Sequence, residues 1–169
     1  MRLRTGGLFL FLFSLLAVSQ TLAQQSKPGV LSPDEINHAA PSVYFFRGQS
    51  ATVQLRNTVG FRAEGDKLVL AGLVDTGGYS TDVKAKYQGF LITEVKLRVA
   101  GKELGPGQYG FGFSKDDEFL VMDVGANDLL KAAAYVDDKL QRPRPLRLQE
   151  DAGGYRLYAG RQWVNLKVE

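Results

Sequence analysis

Hydrophobicity in this chain alternates with a period of two between short glycine-bearing turns, and no other feature constrains the fold as tightly. Val53 and Leu55 alternate with Thr52, Gln54 and Arg56, and Val59-Gly60-Phe61-Arg62-Ala63 continues the pattern. Leu91, Val95, Leu97 and Val99 alternate in the same way with Ile92, Glu94, Lys96 and Arg98 across one long run. Successive side chains on a strand point to opposite faces, so each run predicts a strand with one buried and one wet face. Leu68 to Val74 is apolar without alternation, which predicts a strand covered on both faces. Gly48-Gln49-Ser50, Glu64-Gly65-Asp66-Lys67 and Ala100-Gly101-Lys102-Glu103 supply turns between the runs.

Further strands are expected at Val43 to Arg47, at Gln108 to Phe113 paired with Phe119 to Val124, and at Leu146 to Gln149, Tyr155 to Ala159 and Trp163 to Val168. Up to three short helices interrupt them. Ser32-Pro33-Asp34-Glu35 is a capping-box pattern with proline in the first helical position, and Pro41 stops that helix. Ser80 or Thr81 caps a second, reaching about Gln88, and Asn127-Asp128 caps a third through Leu129 to Tyr135. The sum is an all-β chain of about nine strands, an antiparallel sandwich or a barrel. Residues 41–169 form its single β domain, preceded by a tether and short helix at 24–40.

The N-terminus has the layout of a cleavable export signal. Arg2 and Arg4 precede an apolar run, Leu8 to Val18, of 11 residues broken only by Ser14. That is well short of the ~20 residues a membrane span needs. Thr21 and Ala23 suit a cut before Gln24, so residues 1–23 are read as a signal peptide. Cleavage would leave no stable membrane anchor and a protein in the periplasm or outside the cell. It would also change the charge. The full chain has 21 basic and 18 acidic residues, and losing Arg2 and Arg4 leaves 19 against 18. A near-neutral chain gives no support to a nucleic-acid partner.

The chain has no cysteine and one histidine, His38. Disulfides, thiol catalysis and thiolate metal sites are excluded. A serine triad or a multi-histidine zinc site would need an imidazole in the folded body, whereas His38 falls in the lead-in. Asp116-Asp117-Glu118 reads as a solvated turn. Asp123, Asn127 and Asp128 surround a glycine but lack the full ligand ladder of a calcium loop. No metal site and no cofactor is implied.

Val74-Asp75-Thr76-Gly77 is the sharpest catalytic candidate. An apolar strand ending in D-T-G resembles the single-lobed, retroviral-type aspartic proteases, and Val124-Gly125-Ala126-Asn127-Asp128-Leu129-Leu130 is similar to their later apolar-glycine turn. The resemblance implies a homodimer in which Asp75, Thr76 and Gly77 of each chain build a shared-proton dyad. The chain departs from that family in placing Gly78 and Tyr79 before Ser80 and in the short distance from Asp75 to Gly125. Two stretches, each with a charged turn (Glu64 to Lys67, Lys115 to Glu118), an apolar run, an aspartate and a glycine, are also loosely similar to each other.

Tyr109-Gly110-Phe111-Gly112-Phe113 puts three aromatics on one strand face and two glycines on the other. The glycines let another element approach closely; the aromatics are core or the lining of an apolar cavity. Trp163 shares the outer face of the last strand with Asn165 and Lys167, where it either packs under a loop or meets a partner. Leu104-Gly105-Pro106-Gly107-Gln108-Tyr109 resembles the L-x-P-G-x-Y strand entry of exported β-sandwich modules. Pro41 to Val168 is similar to an uncharacterised family of exported bacterial proteins, which implies export and fold class and brings no activity with it. The expected function is a non-enzymatic binding or structural role in the cell envelope, with a protein or small-molecule partner. The alternatives are the aspartic protease at Asp75 and a carrier of a small apolar ligand built around Tyr109, Phe111 and Phe113.

Overall fold

The computed structural model describes residues 27–169. The expected signal, 1–23, lies outside the described residues. Among those described, no helix is long and apolar enough to cross a membrane.

In chain order the elements are β1 (Gly29–Val30), α1 (Pro33–Ala39), β2 (Val43–Phe46), β3 (Gln49–Arg62), β4 (Leu68–Val74), α2 (Thr81–Lys84) and β5 (Gly89–Thr93). Then follow β6 (Leu97–Val99), β7 (Lys102–Leu104), β8 (Gly107–Phe113), β9 (Glu118–Met122) and β10 (Asp128–Ala133). The chain ends with β11 (Tyr135–Val136), β12 (Arg144–Asp151), β13 (Gly154–Gly160) and β14 (Gln162–Val168). The larger sheet runs β1-β3-β4-β5-β8-β9-β10, with β2 attached to β3; the smaller runs β12-β13-β14-β6-β7, with β11 attached to β14. All pairings are antiparallel. The architecture is a sandwich and the barrel alternative falls, because the sheets do not close on each other.

Two cores explain why some runs alternate and others do not. Between the sheets, Phe61, Val69, Leu91, Phe111 and Val121 meet Leu97, Leu157, Val164 and Leu166. The other face of the larger sheet, carrying Leu70, Val74, Phe90 and Met122, is covered by Ile36 of α1, Tyr44 and Phe46 of β2, and Val83 of α2. β4 therefore has core on both sides, as its unbroken apolar run predicted. The glycines of β8 serve this second layer. A Cβ on Gly110 would sit 2.3 Å from the Phe46 ring, and one on Gly112 would sit 2.3 Å from the Lys86 carbonyl oxygen.

α1 forms as its caps dictate. The Ser32 hydroxyl accepts from the Glu35 amide at 3.3 Å, and the Glu35 carboxylate accepts from the Ser32 amide at 2.8 Å. The other carboxylate oxygen of Glu35 meets Arg62 at 2.9 Å and ties the helix to β3. The lead-in is not a free tether throughout, since Gly29 and Val30 pair with Arg62 and Phe61.

Three local expectations are corrected. The run read as one strand from Leu91 to Val99 is two, β5 in one sheet and β6 in the other. At the corner between them the Thr93 hydroxyl donates to the Val95 carbonyl at 2.6 Å and accepts from the Val95 amide at 3.2 Å. The helix expected from Asn127 to Tyr135 is strand β10 instead. Asp123 accepts from the amides of Gly125 and Asn127, both at 2.9 Å, which closes a turn that lays Leu130 and Ala132 against β9. The second helix is short, Thr81–Lys84, and Ser80 makes no side-chain cap bond. Splitting and short edge pieces raise the strand count to fourteen among the described residues.

Candidate binding cleft

β3 is interrupted part-way along its length. Its register with β4 passes from Val53↔Val74 directly to Thr58↔Gly72, so Gln54 to Asn57 bulge out opposite Leu73 alone. Side chains hold the bulge: the Gln54 amide donates to the Val74 carbonyl at 3.2 Å, Asn57 donates to Gln54 at 2.8 Å, and the Thr58 hydroxyl donates to the Gln54 carbonyl at 3.1 Å. Leu55, expected on the buried face with Val53, is turned outward and is 39% exposed.

The bulge forms one wall of a half-open cleft of about 510 Å3. Residues 144–148 of β12 form the opposite wall, and Val30, Leu31 and α1 residues Pro33, Ile36 and Asn37 form the floor. Val30 is 45% exposed there. The cleft is lined by Arg56, Arg144 and Arg147 and by no described aspartate or glutamate. The Arg147 guanidinium lies 5.9 Å from the Tyr158 ring centroid, on the outer face of the smaller sheet.

The residues singled out by sequence lie elsewhere. Asp75 is exposed at the end of β4, where its Oδ1 accepts a hydrogen bond from the Gly77 amide at 2.9 Å. Thr76 and Gly77 complete this turn, and the Thr76 carbonyl accepts from the Tyr79 amide at 3.0 Å. Asp123 makes the same kind of turn with Gly125 at the end of β9, and its hydrogen bonds from Asn127 and Gly125 hold its carboxyl below the usual range. The two loosely similar stretches thus share a turn and then diverge, one into a helix and one into a strand.

Phe111 is fully buried and Phe113 nearly so, and both pack against Phe119, with centroids 5.7 and 4.9 Å away. An edge of Phe113 also reaches a shallower hollow of about 340 Å3. Tyr109 is half-buried and donates to the Gly105 carbonyl at 3.0 Å, closing the turn that the L-x-P-G-x-Y pattern marks. Trp163 is not free. Tyr135 of β11 stacks on it at 4.8 Å, and the Arg156 guanidinium lies 4.3 Å from its ring centroid. His38 is exposed on α1 with Nδ1 2.6 Å from the Asp34 carbonyl oxygen. Among the described residues no cluster of three acids or histidines is placed to hold a metal ion.

No family model, no curated protein and no solved structure matches the chain. The cleft draws on three separated segments, so no single stretch of sequence marks it. The one local signal was an Arg-Pro-Arg-Pro run, Arg142 to Pro145, which the alternation pattern treats as a connector.

Proposed function

We propose that this protein is an exported domain of the cell envelope that binds a partner without transforming it, and that the cleft between β3, β12 and α1 is its site. The observation that carries this reading is the exposure of Val30 and Leu55 into one concavity. Apolar side chains from distant segments converging on a recess of this size are the usual make-up of a small-ligand site. Export rests on the leader pattern at residues 1–23.

The protease alternative asks Asp75 to share a proton with a second Asp75. Its engagement by the Gly77 amide supports a turn-forming role instead. The carrier alternative built on Tyr109, Phe111 and Phe113 is weakened by the packing of both phenylalanines, and ligand carriage fits the cleft better.

The test uses the neutral fluorophore N-phenyl-1-naphthylamine and the mature domain. Saturable fluorescence enhancement is expected, lost in Leu55→Asp with melting unchanged. Absence of saturable binding by the wild type refutes the cleft as a binding site.

A further inference from the structure

We infer that the cleft takes a small anionic amphiphile from solution, a single carboxylate or phosphate head on a hydrocarbon body. This rests on the binding reading above and adds the ligand's chemistry.

The polar half of the argument is charge. Arg56 and Arg144 stand on opposite walls, one on the β3 bulge and one at the start of β12. Neither makes an ion pair or side-chain hydrogen bond to a described residue, whereas Arg62, Arg98 and Arg156 all have carboxylate partners. A guanidinium presents a planar fork of donors that matches a carboxylate or phosphate, and it is always charged. With no acid in the lining, the two arginines have nothing in the cleft to neutralise them. The side-chain amide of Asn37 adds donors at the lining, and that of Asn57 keeps one N–H beyond the one given to Gln54.

The apolar half is the floor. Val30 and Leu55 are exposed beside Leu31 and Ile36, so a hydrocarbon body entering the cleft removes apolar surface on both sides from water. A volume of about 510 Å3 falls inside the range of small-molecule sites, ~300–1,000 Å3. A polypeptide strand fits less well. β12, whose free edge would accept it, carries Pro145, which has no amide hydrogen, and its ladder to β13 shifts register between Arg144 and Arg147. Both features are ones that block strand addition. An anionic membrane would need a broad basic face, and Lys86, Lys96, Arg98 and Lys131 are already paired with acids.

Calorimetric titration of the mature domain with monomeric decanoate and decyl phosphate tests this against two comparators, decanol and inorganic phosphate. Both amphiphiles are expected to bind one-to-one, at least about tenfold tighter than either comparator. Replacing Arg56 and Arg144 together by alanine is expected to cost the anions about tenfold or more and leave decanol unchanged, as loss of charge-assisted hydrogen bonds requires. Unchanged melting of the variant controls for folding. Equal affinity for decanol and decanoate overturns head-group recognition while leaving the fluorophore test, and so the binding reading, intact. Binding only to vesicles containing anionic lipid, or only to an acidic peptide, also overturns it.

Discussion

Gly112→Ala tests the claim that the second core depends on backbone-to-backbone contact with β8. The added Cβ would lie 2.3 Å from the Lys86 carbonyl oxygen and 2.8 Å from its carbon, where ordinary contact begins near 3.4 Å. The segment from Lys86 to Gln88 would have to retreat by about 1 Å, and it is pinned. The Gln88 amide donates to the Phe111 carbonyl at 2.8 Å, and the Gln88 side chain bonds both the amide and the carbonyl of Phe113 at 3.1 and 3.0 Å. Tyr87, fully buried, stacks on Phe46 with centroids 3.8 Å apart. Overpacking costs about 1–3 kcal/mol, and one or two lost buried hydrogen bonds add about 0.5–1.5 kcal/mol each. The expected loss is therefore about 1.5–6 kcal/mol. Gly110→Ala meets the far edge of the Phe46 ring at the same 2.3 Å, but a ring can tilt where a backbone cannot, so its cost should be the smaller. Gly105→Ala meets no atom within 4 Å and should be neutral or slightly stabilising. Urea unfolding followed by Trp163 fluorescence reads the order as midpoint shifts at constant slope. A Gly112→Ala midpoint indistinguishable from wild type would refute the contact.

Three further outcomes are expected. Glu35 is held at about 2 rather than 4.5, chiefly by the Ser32 amide and then by Arg62. A depressed carboxyl stabilises the fold above its unfolded value and loses that contribution as pH falls through its folded one; the anchoring of α1 should therefore weaken between pH 4.5 and about 2. Glu35→Gln should flatten melting over that window, and an NMR midpoint near 4.5 for this carboxyl contradicts the reading. Asp75→Asn should leave no proteolytic activity to lose: acid-dependent cleavage of a denatured protein by wild type, absent in the variant, would establish the protease. The hydroxyls of Tyr44 and Tyr87 are buried with no partner among the described residues, and burial pushes both phenols up. Removing an unsatisfied buried group relieves a desolvation cost, so Tyr87→Phe should melt at or above the wild-type temperature. A clear drop would show that the hydroxyl is satisfied, by water or by Tyr79.

What the sequence revealed was what is encoded locally. α1 follows from four consecutive capping residues, and the β8–β9 hairpin follows from its own alternation and turn. The two-faced burial of β4 follows from the lack of alternation in Leu68 to Val74. The sequence of β10 points to a helix because Asn127-Asp128 before Leu129-Leu130 and three alanines satisfies helix rules. Pairing with β9 overrides them, burying Leu130, Ala132 and Ala134 at period two. The β5–β6 corner keeps Leu91, Leu97 and Val99 in one core while moving the backbone between sheets, so alternation alone could not reveal it. The β3 bulge depends on Gln54 reaching the Val74 carbonyl twenty residues away, a bond with no spacing signal. Alternation alone places Leu55 with Val53, whereas the bulge turns it outward into the cleft.

The cleft follows from how the sandwich fails to close. Closure on this side would require β12 to hydrogen-bond with β3, and each strand is irregular in the ladder to its other neighbour, β13 or β4. On β12, Pro145 cannot donate and the register slips between Arg144 and Arg147. On β3, Gln54 to Asn57 have left the ladder and bond among themselves. Farther along, β1 takes the β3 edge at Phe61 and Arg62, and Val59 and Leu148, both at the cleft lining, pack against the core between the sheets. The opposite margin is bridged without a ladder, by Lys102 of β7 donating to the Lys131 carbonyl of β10 at 2.5 Å. The same residues therefore do two things. Arg144, Pro145 and the β3 bulge keep an open edge from pairing with foreign strands, as edge residues must, and in doing so they leave a recess over Val30 and Leu55 whose guanidinium groups have no carboxylate partner among the described residues.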